Sequence, residues 1–400
     1  MPIRTKPLPT RTNRFGLEEI QALATALKRD ELWYWHENSI VEAAAKAAAA
    51  KFGSPFCVAT SSGTASLQVA IAASRLQPGT EVVTTPITDA GTINAILYQN
   101  LIPVFADVDP STSVSTVHHI AAAVTPRTGA VLVVHLTGSP IDIDPIVQYC
   151  AENGLVLIED CAQGLGATYK GRSIGTFGRF GCFSLNDQKH ITCGEGGFIL
   201  IKDEADFYLC HNYADKFYDR HKKGVRLEAL APNYRMSELD GAMFSVQLGR
   251  LDAIAQRRSE LGAYLDRELS KIPGVHPPSR VADTQSVFFF YMVRLDLTLI
   301  KCSRDEFLKQ LKAEGIPASG AYVQVPIYRS PYFLNRSFFP GGIWPAQIVS
   351  GEDYDYSVIS LPGAEEAVRS MVSLTLHEGF KESDLDDYIA AFRLVVSKNS

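Results

Sequence analysis

Lys189 stands in a polar turn between two apolar runs, Gly181-Cys182-Phe183 and Phe198-Ile199-Leu200-Ile201. Ser184 precedes it and Gly194-Glu195-Gly196-Gly197 follows. That setting suits an amine nucleophile, because apolar walls disfavour the ammonium form and release the free amine for Schiff-base chemistry. Lysine followed by turn glycines also occurs in ordinary loops, so the rest of the chain must supply a cofactor site around it.

Two further segments offer one. Thr60-Ser61-Ser62-Gly63-Thr64 follows a short strand-like run and opens a helix, where backbone N–H groups and hydroxyls together make a phosphate cup. A plain helix cap at Ser62 or Thr64 is the alternative. Asp160 ends the run Gly154-Leu155-Val156-Leu157-Ile158-Glu159-Asp160, at the carboxyl end of a buried strand, where open α/β sheets place their ligands. A carboxylate there can hold a pyridine nitrogen protonated, which makes the ring an electron sink. A structural cap or ion pair is the competing role. Gln163 can bond a ring substituent or tie down the turn. Gly164-Leu165-Gly166-Ala167-Thr168-Tyr169 partly matches a dinucleotide fingerprint, but it lacks the third glycine and the ribose-binding acid.

The elements that must position these residues follow from periodicity. Residues 17–29 and 39–52 read as helices, the second alanine-rich with Ser39 as its N-cap. Strand-like runs at 81–85, 102–106, 130–136 and 155–158 are separated by helical stretches such as 65–73 and 143–153. That alternation predicts an α/β fold with a mainly parallel central sheet covered on both faces. A long helix over 239–255 leaves this unit. A strand at 288–295, a helix at 304–314 and a terminal helix at 384–395 then predict a smaller α+β domain, giving domains 1–249 and 250–400. Residues 322–344, rich in aromatics and proline, form a long loop without an obvious element of its own, and such loops are functional or mobile.

Composition narrows the classes. The 400 residues are 46% hydrophobic and 20% charged, enough for a large core. The net charge of −6 and the lack of a basic cluster interleaved with aromatics argue against a nucleic-acid partner. The cysteines at 57, 150, 161, 182, 193, 210 and 302 form no C-x-x-C pair, which points to a reducing compartment without a disulfide framework or zinc site. Residues 1–16 are basic and proline-bearing without the apolar core of a signal peptide, and apolar runs fall short of the ~20 residues that span a bilayer. A soluble cytoplasmic protein is the expectation.

Over nearly its whole length the chain resembles the pyridoxal-phosphate-dependent sugar aminotransferases of the DegT/StrS type. The likeness rests on the order and spacing of Ser62-Gly63-Thr64, the segment from Glu159-Asp160-Cys161-Ala162-Gln163 to Ala167, the run 183–197, and Asn233-Tyr234-Arg235-Met236-Ser237-Glu238. The last two runs are also similar to those of aminocyclitol and aminohydroxybenzoate enzymes, which widens the acceptor class. The resemblance implies fold type I and pyridoxal 5'-phosphate as cofactor. Lys189 would form the internal aldimine and shuttle protons, Asp160 would pair with the pyridine nitrogen, and Gln163 would contact the ring hydroxyl side. Ser62, Gly63, Thr64 and Ser184 would hold the phosphate. Asn233 would reach the phosphate of the neighbouring subunit, in a homodimer with shared active sites. The implied reaction moves an amino group from glutamate or glutamine to a keto-sugar or keto-cyclitol, in amino-sugar, antibiotic or polysaccharide biosynthesis. A dehydratase or lyase on a similar ring, and a non-catalytic regulator, are the competing readings.

The chain departs from the family pattern in one place that bears on chemistry. The family usually stacks an aromatic residue on the ring, after the position of Pro86. Here Pro86-Ile87-Thr88-Asp89-Ala90-Gly91-Thr92 puts Asp89 there. An aspartate cannot stack, so another group covers the ring, or Asp89 serves the substrate's polar groups, or it only caps the loop. The stretch from Asn212 to Arg220 also differs from the commonest members and bears on substrate identity. His190, beside the lysine, reads as a wall residue.

Overall fold

The computed structural model describes residues 1–11, 14–220 and 227–399. Its main sheet has seven strands in the spatial order Phe56–Thr60, Gly197–Ile201, Phe180–Ser184, Val156–Asp160, Thr128–Val134, Glu81–Thr84, Ile102–Phe105. Gly197–Ile201 alone runs against its neighbours, and the other pairings beyond Phe180–Ser184 are parallel. Alternation within one strand shows why both faces are apolar. Leu132 joins the core under helix Gly63–Ala73, while Val131 and Val133 join the opposite core with Ile146 and Cys150.

The helices form where their ends and faces demand it. Ser39 caps Ile40–Phe52 by accepting from the Glu42 N–H at 3.2 Å, and Gly53 closes the helix at a left-handed φ of 70°. Its alanine face packs on the 32-residue helix Glu238–Leu269 so closely that a Cβ on Gly241 would lie 2.7 Å from Val41. That long helix serves two cores. Phe244, Leu248, Leu251 and Ala255 pack under the large sheet, and Leu261, Leu265 and Leu269 pack under a second sheet. The second sheet is antiparallel, in the order Val275–His276, Tyr291–Leu295, Met371–Leu374, Ala318–Ser319, and helices Arg304–Ala313 and Glu382–Lys398 cover it.

Two sequence expectations need correction. The strand predicted from 288 begins at Tyr291, because Phe288 takes a φ of 45° and leaves the extended region. Residues 322–344 are not elementless: they hold the turns Ile327–Arg329, Pro331–Leu334 and Pro340–Gly342. Tyr328, Phe333 and Trp344 anchor the segment in an aromatic core with Phe105 and Tyr356. Among the described residues, no helix is long and apolar enough to cross a membrane.

Candidate active site

Lys189 rides on the connection between the antiparallel strands Phe180–Ser184 and Gly197–Ile201. Side chain and backbone fasten that connection repeatedly. Leu185 N–H donates to Gly196 O at 2.8 Å, the Thr192 hydroxyl donates to Leu185 O at 2.8 Å, and Lys189 N–H donates to Asn186 O at 2.9 Å. The lysine is half-buried, with its Nζ 4.3 Å from the centroid of the Phe289 ring. Burial pushes its ammonium below the ordinary lysine value, opposed by the carboxylates of Asp160 and Asp89.

Asp160 is the last residue of its strand and is buried. Its oxygens accept from Ala162 N–H at 3.0 Å and from the Thr92 hydroxyl at 2.8 Å, and Thr92 is linked in turn to Thr88 at 2.7 Å. Burial pushes this carboxyl up, while the Ala162 and Thr92 bonds and the Lys189 charge pull it down. A bound N–H cation would shift that balance further toward the carboxylate. The preceding Glu159 faces the other side of the sheet, where His135 and the amides of Gly175, Phe177 and Gly178 satisfy it. Gln163 accepts Thr137 N–H at 2.7 Å through Oε1, and its NH2 group is a donor toward the Tyr322 hydroxyl.

Ser62 is the N-cap of helix Gly63–Ala73, accepting from Ala65 N–H at 3.0 Å, so its hydroxyl does the capping work. The first amides of that helix, at Gly63 and Thr64, have no intrahelical acceptor. Gly63 lies against Ser184, and a Cβ there would sit 2.7 Å from the Ser184 Cβ. Ser62, Gly63, Thr64, Asp160, Gln163, Ser184 and Lys189 all line one cavity of about 270 Å³. Asn233 stands apart from them. It is exposed, pairs as an isolated bridge with Asp215, and accepts from Arg235 N–H at 3.4 Å. It is not the cap of the long helix either, since Ser237 fills that position.

Asp89, His190 and the stretch from Asn212 to Arg220 each take a defined place relative to this cavity. Asp89 both caps helix Ala90–Tyr98, accepting from Gly91 N–H at 2.8 Å, and lines the cavity, with its second oxygen 3.5 Å from the Tyr322 hydroxyl. His190 is buried, its Nε2 lies 3.0 Å from Val287 O, and burial holds its ring well below the usual imidazole value, so it is a neutral wall. In the stretch from Asn212 to Arg220, Asp215 is buried and binds Tyr34, Arg220 and Arg235, outside the cavity lining.

Sequence reasoning missed Thr92, Phe289 and Tyr322. The pair Thr88 and Thr92, four residues apart around the start of helix Ala90–Tyr98, signalled the first. The run Phe288-Phe289-Phe290-Tyr291 signalled the second, since a strand cannot send four consecutive aromatics to one core. Tyr322 stacks on Phe290 with rings 5.4 Å apart, and only the third dimension brings it to Asp89.

This donor set fits a pyridine ring with a phosphate arm. Neutral hydroxyls and helix-start amides suit a dianion, the glycine at 63 lets Ser184 close against the helix start, and an acid and an amine face the same space. With the fold, it defines a pyridoxal-phosphate-dependent aminotransferase of fold type I. Residues 14–393 match the DegT/DnrJ/EryC1/StrS aminotransferase family, and the chain belongs to it. It is 30% identical to the spore coat polysaccharide biosynthesis protein SpsC of Bacillus subtilis (strain 168), over 97% of each chain. It superposes on an aminotransferase from Psychrobacter cryohalolentis with a TM-score of 0.85 at 26% identity, covering 98% of this chain and 99% of that one. The structure of DesI, solved in the presence of its TDP-sugar product, matches with a TM-score of 0.83 at 26% identity, covering 100% and 95%.

Proposed function

We propose that this aminotransferase moves an amino group from glutamate or glutamine to the carbonyl carbon of a polyhydroxylated ring, a keto-sugar or keto-cyclitol. The observation that carries the reading is a second cavity of about 550 Å³ that shares Thr88, Asp89 and Tyr322 with the first. Asn94, Gln324, Ser330 and Tyr332 give it hydrogen-bonding groups, and Ile93, Val323 and Ile327 give it apolar surface. A ring with several hydroxyls and one apolar face suits such a wall. SpsC, named for polysaccharide biosynthesis, and DesI, with its TDP-sugar product, support the acceptor class.

When bound, pyridoxal phosphate supplies the carbonyl that carries the amino group and the ring that stores an electron pair. In this reading the Lys189 Nζ, kept toward its neutral form by burial, would hold the cofactor and would move the proton at the reacting carbon. Asp160 holds the ring-nitrogen proton, with Thr92 fixing its orientation. The NH2 group of Gln163 would contact the ring hydroxyl side. Ser62, Gly63, Thr64 and Ser184 hold the phosphate, Ser62 by shaping the helix start. Asn233, exposed on its own chain, serves the phosphate of a second copy, so the working form is a homodimer with shared sites.

The test is a coupled assay with purified enzyme. Glutamate should release 2-oxoglutarate, and a panel of free and nucleotide-linked keto-sugars and keto-cyclitols should yield an amine. Release of water from the ring with no amine formed would overturn the reading.

A further inference from the structure

The N-terminal arm approaches the lysine loop through charges that the chemistry above leaves unused. Arg11 spreads its guanidinium over consecutive carbonyl oxygens: Nη1 donates to Gln188 O at 3.2 Å and to Lys189 O at 2.8 Å, and Nη2 donates to His190 O at 2.9 Å. Its Nε donates to Glu378 Oε1 at 3.1 Å. The other oxygen of Glu378 accepts from Arg258 Nε at 2.7 Å. Arg258, fully buried, donates from Nη1 to Phe288 O at 3.0 Å, and to Phe289 O and Leu376 O at 3.3 Å.

One carboxylate therefore ties two guanidinium forks. The first holds the backbone that carries Lys189. The second holds the backbone of Phe289, the ring beneath the lysine ammonium. A guanidinium presents several donors in a fixed plane, so it can set the spacing of carbonyls that would otherwise diverge. The arrangement is costly in isolation. Burial lowers the affinity of both arginines for their protons, Arg258 to about 10, and Glu378 opposes that in each case. Removing Glu378 would leave two guanidinium charges without the carboxylate they share. The arm is fixed on either side of Arg11, by Arg4 to Asp384 and Asp387, and by Gln247 to Arg14 O at 2.8 Å.

We infer that Arg11, Glu378 and Arg258 form a positioning device for the reactive lysine, in which the N-terminal arm, the long helix Glu238–Leu269 and the segment after strand Met371–Leu374 jointly set the placement of Lys189 over Phe289. None of the three reacts. They hold the backbone so that the amine meets its target in one geometry, and a displacement near 1 Å at such a site can cost about a hundredfold in rate.

The inference rests on Lys189 being the reactive amine, and the test separates the two ideas. In apo-protein carrying Arg11→Gln, hydrogen exchange at the amides of residues 188–192 should quicken about tenfold or more, matching the loss of hydrogen bonds to a charged donor, while strand Thr128–Val134 stays protected. In the holoenzyme, kcat should fall about ten- to a hundredfold with little change in the KM for glutamate, and the visible circular dichroism of the bound cofactor should change. Arg11→Lys should restore part of each signal. Glu378→Gln should reproduce the pattern and serves if Arg11→Gln does not fold. Faster exchange with unchanged kcat and circular dichroism would overturn the inference, as would a lower kcat with unchanged exchange. A borohydride adduct mapped to another lysine would overturn the role of Lys189 and leave the exchange result to stand on its own.

Discussion

The two connected cavities are built differently. The wall of the first is almost entirely strand ends and helix starts of one sheet: Asp160 closes a strand, Gly63 opens a helix, and Ser184 and Lys189 belong to one hairpin. The second brings residues 88–94 against residues 322–332, more than two hundred positions away, and an aromatic core holds them together. A site made from the ends of regular elements keeps its geometry through the backbone. A site made by docking an irregular segment keeps it through side-chain packing, and can change its shape without disturbing the sheet. On the proposed function, cofactor chemistry falls to the rigid half and acceptor choice to the adaptable half.

The comparison breaks first at Lys189. Lys189→Ala should lower turnover by about ten-thousandfold or more, since nothing else supplies the amine. The same chain should keep its melting temperature and bind the cofactor without a covalent link. Reduction of wild-type holoenzyme with borohydride, followed by peptide mapping, must place the adduct on Lys189. Asp160→Asn comes next. An amide cannot hold the ring-nitrogen proton, and a loss of about a hundred- to a thousandfold in proton abstraction is expected, read as hydrogen exchange at the donor's α-carbon. Near-normal exchange would make the carboxylate structural.

These two residues were legible because the signals that mark them are local. Asp160 follows a run of four apolar residues and Glu159, and Lys189 lies between two apolar runs, so a reader of the chain meets strand and candidate group together. Arg11, Thr92, Phe289 and Tyr322 were not, for a shared reason. Each acts through a partner remote in sequence: Arg11 on carbonyls near 189, Thr92 on Asp160, Phe289 on Lys189, Tyr322 on Asp89. Periodicity reports which face of an element is buried but not which distant element covers it. The strand start was misplaced for a related reason, because the left-handed Phe288 is held by Arg258 and by its own packing, which no propensity encodes.

A smaller effect tests whether the rigid half needs two chains. Asn233→Ala should weaken cofactor binding about ten- to a hundredfold, as loss of a bond to a charged group would. Mixing Lys189→Ala chains with Asn233→Ala chains should restore about one quarter of wild-type activity at low cofactor concentration, because random pairing makes half the dimers hybrid and one of their two sites carries neither lesion. Hybrid dimers that form and stay inactive would end the shared-site reading. On the adaptable side, Gln324→Ala should raise the acceptor KM about three- to tenfold while leaving the glutamate half-reaction unchanged.

The smallest effect lies where the halves meet. Asp89 lines both cavities, caps its helix, and is one of two carboxylates that favour the Lys189 ammonium. Asparagine caps a helix about as well as aspartate, so Asp89→Asn should preserve the fold while removing only the charge. Lys189 then loses an attraction for its proton, and its pKa, already below the ordinary value through burial, should fall further. Asp160 loses a repulsion, and its carboxyl should move down as well. Competitive labelling of the apo-protein reads the first shift directly, because the amine reacts only when neutral and its reactivity rises as pH rises through its pKa. The half-maximal pH in Asp89→Asn should lie below that of wild type. An unchanged or higher midpoint would mean that the charge of Asp89 does not reach the lysine, leaving it a cap and a wall of the acceptor cavity alone.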